Sequence, residues 1–138
     1  MSKWMFVVYL GLQAHFAASC LVPLRDADKH AMGGTMQWFW PWANGDHGPL
    51  GTMVADGASP TTGILLAITS ASLFFLAALA VAGWWVPSAW WRPLAIAAAS
   101  LSFILMALFF GPTKVIPMAL AVDTIFIALM RSDVFAVR

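Results

Sequence analysis

The sequence predicts an all-α fold, an integral membrane four-helix bundle that forms a single domain over residues 1–138. Of the 138 residues, 62% are hydrophobic and 9% are charged, and the mean hydropathy is +0.83. Soluble domains average about 45–50% apolar and about 25% charged residues. A soluble core of this size cannot hide so much apolar surface from water, whereas lipid accepts it. The second observation is four apolar segments near the length of about 17–25 residues that a membrane helix needs.

Prolines and a glycine mark the limits of these segments. We expect helices over about residues 4–22, 61–86, 93–110 and 115–130, with one long extramembrane loop over 25–60 between the first two. Pro60 and Pro87 flank the second segment, and Gly111 ends the third. Pro117 is tolerated in the first turn of the fourth helix, where backbone N–H groups have no helical partner. The last three segments are apolar on all sides, which is typical of lipid-facing helices.

Tryptophans and charges indicate how the bundle meets the bilayer. The long loop contains three interface candidates, Trp38, Trp40 and Trp42. Tryptophan favours the headgroup level, so this loop is predicted to lie on the membrane surface, to cover the end of the bundle or to pack on a partner protein. With four spans the termini share one side, which carries four of the seven basic residues. The positive-inside rule then places both termini in the cytoplasm.

Asp123 is the first candidate functional residue. It lies within the fourth predicted helix. A carboxylate in a lipid-buried helix costs about 3 kcal/mol on insertion scales unless it is paired or protonated. One interpretation is a proton relay or ligand contact, and the other is a hydrogen bond that helps the helices pack.

A shared layer of polar side chains is the second expectation. Counted from the outer helix ends, His15, Thr69, Ser72, Ser102 and Asp123 all fall about 10–17 Å deep. Polar groups in hydrocarbon seek one another, so Asp123 is predicted to point inward and to bond Ser102, His15 or a water.

His15 and the loop raise the question of cofactors. His15 in the first helix would suit a haem or a chlorophyll-type pigment as an axial ligand, or a structural hydrogen bond. A membrane haem b normally needs two histidines at one depth, and His30 and His47 belong to the loop. Carboxylates of the loop could join those two as metal ligands, but no helical spacing holds them together, so no metal site is predicted.

The second half of the chain resembles a known family. Trp90-Trp91-Arg92-Pro93, Ser100-Leu101-Ser102, Gly111-Pro112 and Ala121-Val122-Asp123 are similar to small four-helix bacterial membrane proteins of the DoxX-like type. The resemblance covers Pro60 to Met130. It implies a membrane redox setting, related to quinones, in the bacterial cytoplasmic membrane.

Three classes of function follow. The first is a small accessory or structural subunit of a larger membrane complex, without catalytic activity of its own. Small size and small-residue helix faces favour it, because close helix approach needs small side chains. Those faces comprise Ala67, Ser70, Ala71, Ala95, Ala98, Ala99 and Ser102. The second is a small-molecule-binding or proton-coupled protein that uses Asp123, and the third is a pigment-, haem- or quinone-binding subunit that uses His15.

The expected partners are the lipid bilayer and other membrane subunits. The net charge of +1 provides no basic field for nucleic acid. The sequence requires no cofactor.

Overall fold

The computed structural model describes residues 2–21, 60–109 and 114–130. These ranges contain four α-helices and one 3-10 turn: α1 (Lys3–Ser19), α2 (Pro60–Ala82), the turn (Ser88–Trp90), α3 (Trp91–Leu108) and α4 (Val115–Met130). The described residues contain no strand, so the all-α prediction is confirmed for this part of the chain. The predicted loop up to residue 59, with Trp38, Trp40 and Trp42, lies outside the described residues.

α1 begins at a side-chain cap. The backbone N–H of Met5 donates to the Ser2 hydroxyl at 3.2 Å. Serine is a preferred N-cap because its oxygen satisfies an N–H group that has no partner within the helix. The helix ends at Ser19, before the predicted limit at residue 22, and Cys20 and Leu21 form a turn.

α2 ends at Ala82, four residues before the predicted limit at 86, because a glycine terminates it. Gly83 has φ 81°, a conformation that glycine adopts without steric cost. Its N–H donates to Ala80 O at 3.2 Å, and the N–H of Trp84 donates to Leu79 O at 2.9 Å. This pair of bonds is the Schellman motif, which satisfies the last carbonyls of a helix.

Trp85 occupies a strained position directly after this motif. The N–H of Val86 donates to Trp84 O at 2.6 Å, which closes a three-residue turn around Trp85. Its φ is 56°, a region that costs a residue with a Cβ about 1–2 kcal/mol. The side chain is 97% exposed, so packing within the described residues does not offset that cost.

The helices pack in chain order around the bundle. α2 lies against both α1 and α3, and α3 lies against α4. α1 and α4 close the ring with fewer contacts than any of these pairs. Trp4 meets Trp84 edge-on with ring centroids 6.1 Å apart, so the start of α1 lies at the end of α2, as in an antiparallel pair.

Small side chains fill the interior. Ala67, Ala95, Ala98 and Ala99 have no exposed surface, and Ser102 is also buried. The predicted small-residue faces of α2 and α3 therefore pack inside the chain's own bundle. Because they are buried between the chain's own helices, they give no support to a contact with another subunit.

Basic side chains satisfy carbonyls at helix ends. Arg92 Nε donates to Ala128 O at 2.8 Å, within the last turn of α4. Lys114 Nζ donates to Phe109 O at 2.6 Å, just after α3. A cation there also interacts favourably with the helix dipole. Burial lowers the pKa of the Lys114 ammonium below its ordinary value, although the nearby Cys20 thiol opposes this shift.

Two helical segments, Thr61–Ala82 and Ser88–Leu108, are long and apolar enough to cross a membrane. α4 is apolar but shorter. Large apolar side chains cover much of the outer surface, including Val8 at 72%, Ile116 at 67% and Leu129 at 61% exposure. Length and composition therefore agree with the predicted spans for two of the four helices.

Candidate functional site

A polar cluster joins α1 to α4. Tyr9 and Gln13 lie one helical turn apart on α1, and Asp123 and Thr124 are consecutive on α4. Residues four apart share a helix face, so both α1 side chains reach the same neighbour. We call Tyr9, Gln13, Asp123 and Thr124 the seam cluster, because it bridges α1 and α4, the neighbouring helices that pack least closely.

Tyr9 is the centre of the cluster. Its Oη lies 2.8 Å from Leu120 O, 3.1 Å from Asp123 Oδ2 and 3.1 Å from Thr124 Oγ1. Gln13 Nε2 lies 3.4 Å from Tyr9 Oη and 3.3 Å from Thr124 Oγ1. A hydroxyl has one proton, so Tyr9 donates to either Leu120 O or Asp123 Oδ2 at a time.

One arrangement of protons uses every donor. The Thr124 hydroxyl donates to Leu120 O at 2.8 Å, the bond to the preceding turn that threonine commonly forms in helices. In this arrangement Tyr9 donates to the Asp123 carboxylate, and its shorter contact with Leu120 O, at 2.8 Å, is the alternative. The two amide protons of Gln13 point to Thr124 Oγ1 and Tyr9 Oη. The cluster thus ends in a charge-assisted bond, which is stronger than a bond between neutral groups.

Burial changes steadily across the seam cluster. Gln13 is 1% exposed and Thr124 is fully buried. Tyr9 is partly buried, and Asp123 is exposed on the outer surface of α4. A continuous chain of hydrogen-bonding groups therefore leads from the core to the outside of the bundle.

Asp123 is a charged residue on an apolar surface. It lies eight residues after Val115 and seven before Met130, at the middle of α4. Its neighbours Val122 and Phe126 are 52% and 57% exposed. Within the described residues the carboxylate accepts one hydrogen bond, from Tyr9, through Oδ2.

Two buried oxygens have no hydrogen-bond partner among the described residues. They are Gln13 Oε1 and Ser102 Oγ. Gln13 lies ten residues after Lys3 and Ser102 eleven after Trp91, so both lie about 15–17 Å along their helices from the same end of the bundle. Native proteins leave few buried polar atoms unpaired, so each such atom calls for a functional or structural reason.

The predicted polar layer is not the one observed. Asp123 bonds Tyr9 rather than Ser102 or His15, and its side chain faces outward rather than inward. Thr69 and Ser72 are exposed on the outer surface of α2. Uniformly apolar helices give no sequence signal for which face is internal. The predicted layer therefore groups these residues by their depth alone.

His15 lies apart from the seam cluster. Its side chain is partly buried, and its ring centroid is 6.4 Å from that of Phe16. His30 and His47 lie outside the described residues. Within the described ranges, no group of three His, Cys, Asp or Glu side chains is placed to hold a metal ion.

Sequence reasoning missed three members of the seam cluster. Tyr9 is the one tyrosine in the chain, and Gln13 follows it by one turn within an apolar helix. Thr124 is adjacent to Asp123. Two polar residues spaced four apart in a predicted membrane helix mark a common face, and this is the signal that could have added Tyr9 and Gln13 to the candidate residues.

Comparison with known proteins adds no relative. No protein-family model matches the chain, and neither curated proteins nor solved structures give a match. The DoxX-like resemblance and the redox setting that it implies therefore stay predictions.

Proposed function

We propose that the chain is an integral membrane protein and serves as an accessory subunit of a larger membrane complex. Composition supports the membrane setting, with 62% hydrophobic residues. So does the outer surface, where side chains such as Val8, Phe75 and Leu129 are 72%, 59% and 61% exposed. In water such a surface would be costly, at about 25 cal/mol per Å² of apolar area.

The exposed carboxylate of Asp123 carries the accessory-subunit proposal. It lies at the middle of α4, where a membrane would surround it with hydrocarbon. A charge at that depth costs about 3 kcal/mol on insertion scales. One bond from the partly buried Tyr9 offsets part of this cost, but a carboxylate has about four acceptor positions. A second protein that covers Asp123 would supply the missing partners and remove the carboxylate from lipid.

A second function is favoured by a different observation. The seam cluster connects the unpaired Gln13 Oε1 in the core with Asp123 on the surface. A proton or a small polar molecule that entered at Asp123 would meet hydrogen-bonding groups at every step. A small-molecule-binding or proton-coupled role is therefore the alternative.

Native mass measurement tests the accessory role. Membranes that contain the full chain would be extracted in mild detergent and analysed by native mass spectrometry. We expect the wild type in a complex with other chains, and Asp123→Leu released from it, since leucine cannot bond a partner. Ser72→Leu is the matched control, because Ser72 is also polar and exposed but lies on α2.

Asp123→Asn separates the remaining interpretations. If assembly survives Asp123→Asn while Asp123→Leu only lowers thermal stability, the carboxylate serves packing with Tyr9 and the subunit proposal loses its support. A wild-type chain that is a monodisperse monomer in extracts of its native membrane would contradict the proposal directly.

A further inference from the structure

The outer surface of α4 carries an exposed stripe with heptad spacing. Its members are Ile116, Ala119, Asp123, Phe126 and Met130. They alternate three and four residues apart, and all five are exposed. We call these five residues the Asp123 stripe.

Heptad spacing is the pattern by which one helix packs along another. Residues at alternating intervals of three and four form a seam whose side chains insert between those of a partner helix. Ala119 lies one turn before Asp123, and a small side chain there lets a second helix approach closely. A polar residue at one central position of such a seam fixes the register of the partner.

The charge of the Asp123 stripe limits what the partner is. Asp123 is the one acidic residue among the described residues, and the basic side chains there are Lys3, Arg92 and Lys114, near helix ends. Arg92 and Lys114 bond backbone carbonyls. The carboxylate forms no ion pair with any of them, and Oδ1 accepts no hydrogen bond from the described residues.

A second copy of this chain fits poorly along the stripe. α4 contains no basic residue between Val115 and Met130. Two copies paired through their stripes would bring carboxylate against carboxylate at the middle of the membrane, where like charges repel most strongly. A helix that carries a cation at this depth would instead neutralise the carboxylate.

We infer that the Asp123 stripe docks a transmembrane helix of another protein that carries a lysine or arginine at the depth of Asp123. Tyr9 donates to Oδ2 and orients the carboxylate. The partner's cation then bonds the carboxylate from the lipid side, and Ile116, Phe126 and Met130 pack around the pair. This inference rests on the proposed accessory-subunit function and specifies the chemistry of its partner.

The test uses synthetic transmembrane peptides as probes. The full chain, labelled with a donor dye, would be reconstituted in phosphatidylcholine vesicles with acceptor-labelled leucine-alanine helices. One peptide carries a central lysine, one a central leucine, and one a lysine moved by two turns toward an end. Energy transfer as a function of the peptide-to-lipid ratio gives the affinity of each.

For the wild type we expect the central-lysine peptide to bind about tenfold more tightly than either other peptide. Asp123→Asn preserves side-chain size and should abolish this preference. A double variant, Val122→Asp with Asp123→Val, has the same composition but moves the carboxylate by about 100° around the helix and off the stripe. It should also lose the preference, while circular dichroism verifies that each variant is helical.

Three results would overturn the inference. They are equal affinity for all three peptides, a lysine preference that Asp123→Asn retains, and self-association of the chain that depends on Asp123 and displaces the peptides. The last would identify a second copy as the occupant. If the native complex depends on Asp123 but no lysine preference appears, the accessory-subunit function stands and only the partner's chemistry is wrong.

Discussion

At the scale of single residues, the Tyr9 hydroxyl links α1 and α4, which pack less closely than the other neighbouring helices. Its oxygen lies within 2.8–3.1 Å of groups on α4 from Leu120 to Thr124. The phenol ring stacks against Phe6 with ring centroids 5.8 Å apart, which fixes where the hydroxyl points. A side chain held by packing at one end and by hydrogen bonds at the other is a rigid positioning element for the carboxylate.

Tyr9→Phe removes the hydroxyl and with it the contacts to Leu120 O, Asp123 Oδ2 and Thr124 Oγ1. The ring and its stacking remain, but Asp123 loses its one hydrogen bond from the described residues. We expect the free energy of unfolding in detergent to fall by about 1–2 kcal/mol, the usual cost of removing one partner of a partly buried bond. Thermal denaturation followed by circular dichroism measures it, with Ser72→Ala, which removes an exposed hydroxyl on α2, as the control.

A double-mutant cycle of Tyr9→Phe with Asp123→Ala assigns the effect to the pair. The two substitutions should be non-additive by about 0.5 kcal/mol or more, because they break the same contact. Additive effects would mean that Tyr9 acts through Leu120 and Thr124 alone.

At the scale of helices, the sequence predicts where each helix lies in the chain better than which of its faces is buried. Proline and bilayer length placed all four helices within a few residues. The predicted limit of α2 at residue 86 is too late, because Gly83 and not Pro87 ends the helix through its positive φ. Among Thr69, Ser70 and Ser72, only Ser70 is buried. An apolar helix has no periodic pattern that predicts which of these hydroxyls is buried. Tertiary packing decides it, and the composition of the site could therefore not be predicted from the sequence.

The turn after α2 gives a prediction about strain. Trp85 has φ 56° and is 97% exposed, so Trp85→Gly relieves backbone strain without removing buried surface. We expect stability in detergent to rise by about 0.5–1 kcal/mol, after the greater chain entropy of glycine is subtracted. The midpoint of thermal unfolding measures the change.

Gly83→Ala is the matched contrast. Gly83 also has positive φ, and a Cβ there would meet only Lys3 Nζ at 3.8 Å, an ordinary contact. Any loss of stability, expected at about 1 kcal/mol, is therefore due to the backbone. If Trp85→Gly instead lowers stability, the indole forms an anchoring contact with the detergent or the bilayer interface that outweighs the strain.

At the scale of the whole molecule, the two ends of the bundle differ in composition. One end gathers Trp4, Trp84, Trp85 and Trp90, all more than half exposed. Lys3 Nζ lies 6.0 Å from the centroid of the Trp4 ring at this same end. The opposite end contains Cys20 and Met106, whose sulfur atoms lie 3.9 Å apart, together with the buried Lys114. The first arrangement suits a headgroup region, where an aromatic ring sits between apolar and polar surroundings.

Labelling of single cysteines tests whether the bundle crosses the bilayer. In a Cys20→Ser background, where serine can bond the same Phe16 carbonyl that the thiol contacts at 3.6 Å, the exposed positions Ser2, Ser88 and Val115 would each be changed to cysteine. The antiparallel order places the first two at one end and Val115 at the other, about 24 Å away along α4, close to the hydrocarbon thickness of about 30 Å. In sealed vesicles, an impermeant maleimide should therefore label Ser2→Cys and Ser88→Cys from one face and Val115→Cys from the opposite face. Labelling after detergent addition confirms that every thiol is reactive. Reaction of all three from the same face would show that α3 does not span the membrane, and the argument from the lipid exposure of Asp123 on the adjacent α4 would then lose its support.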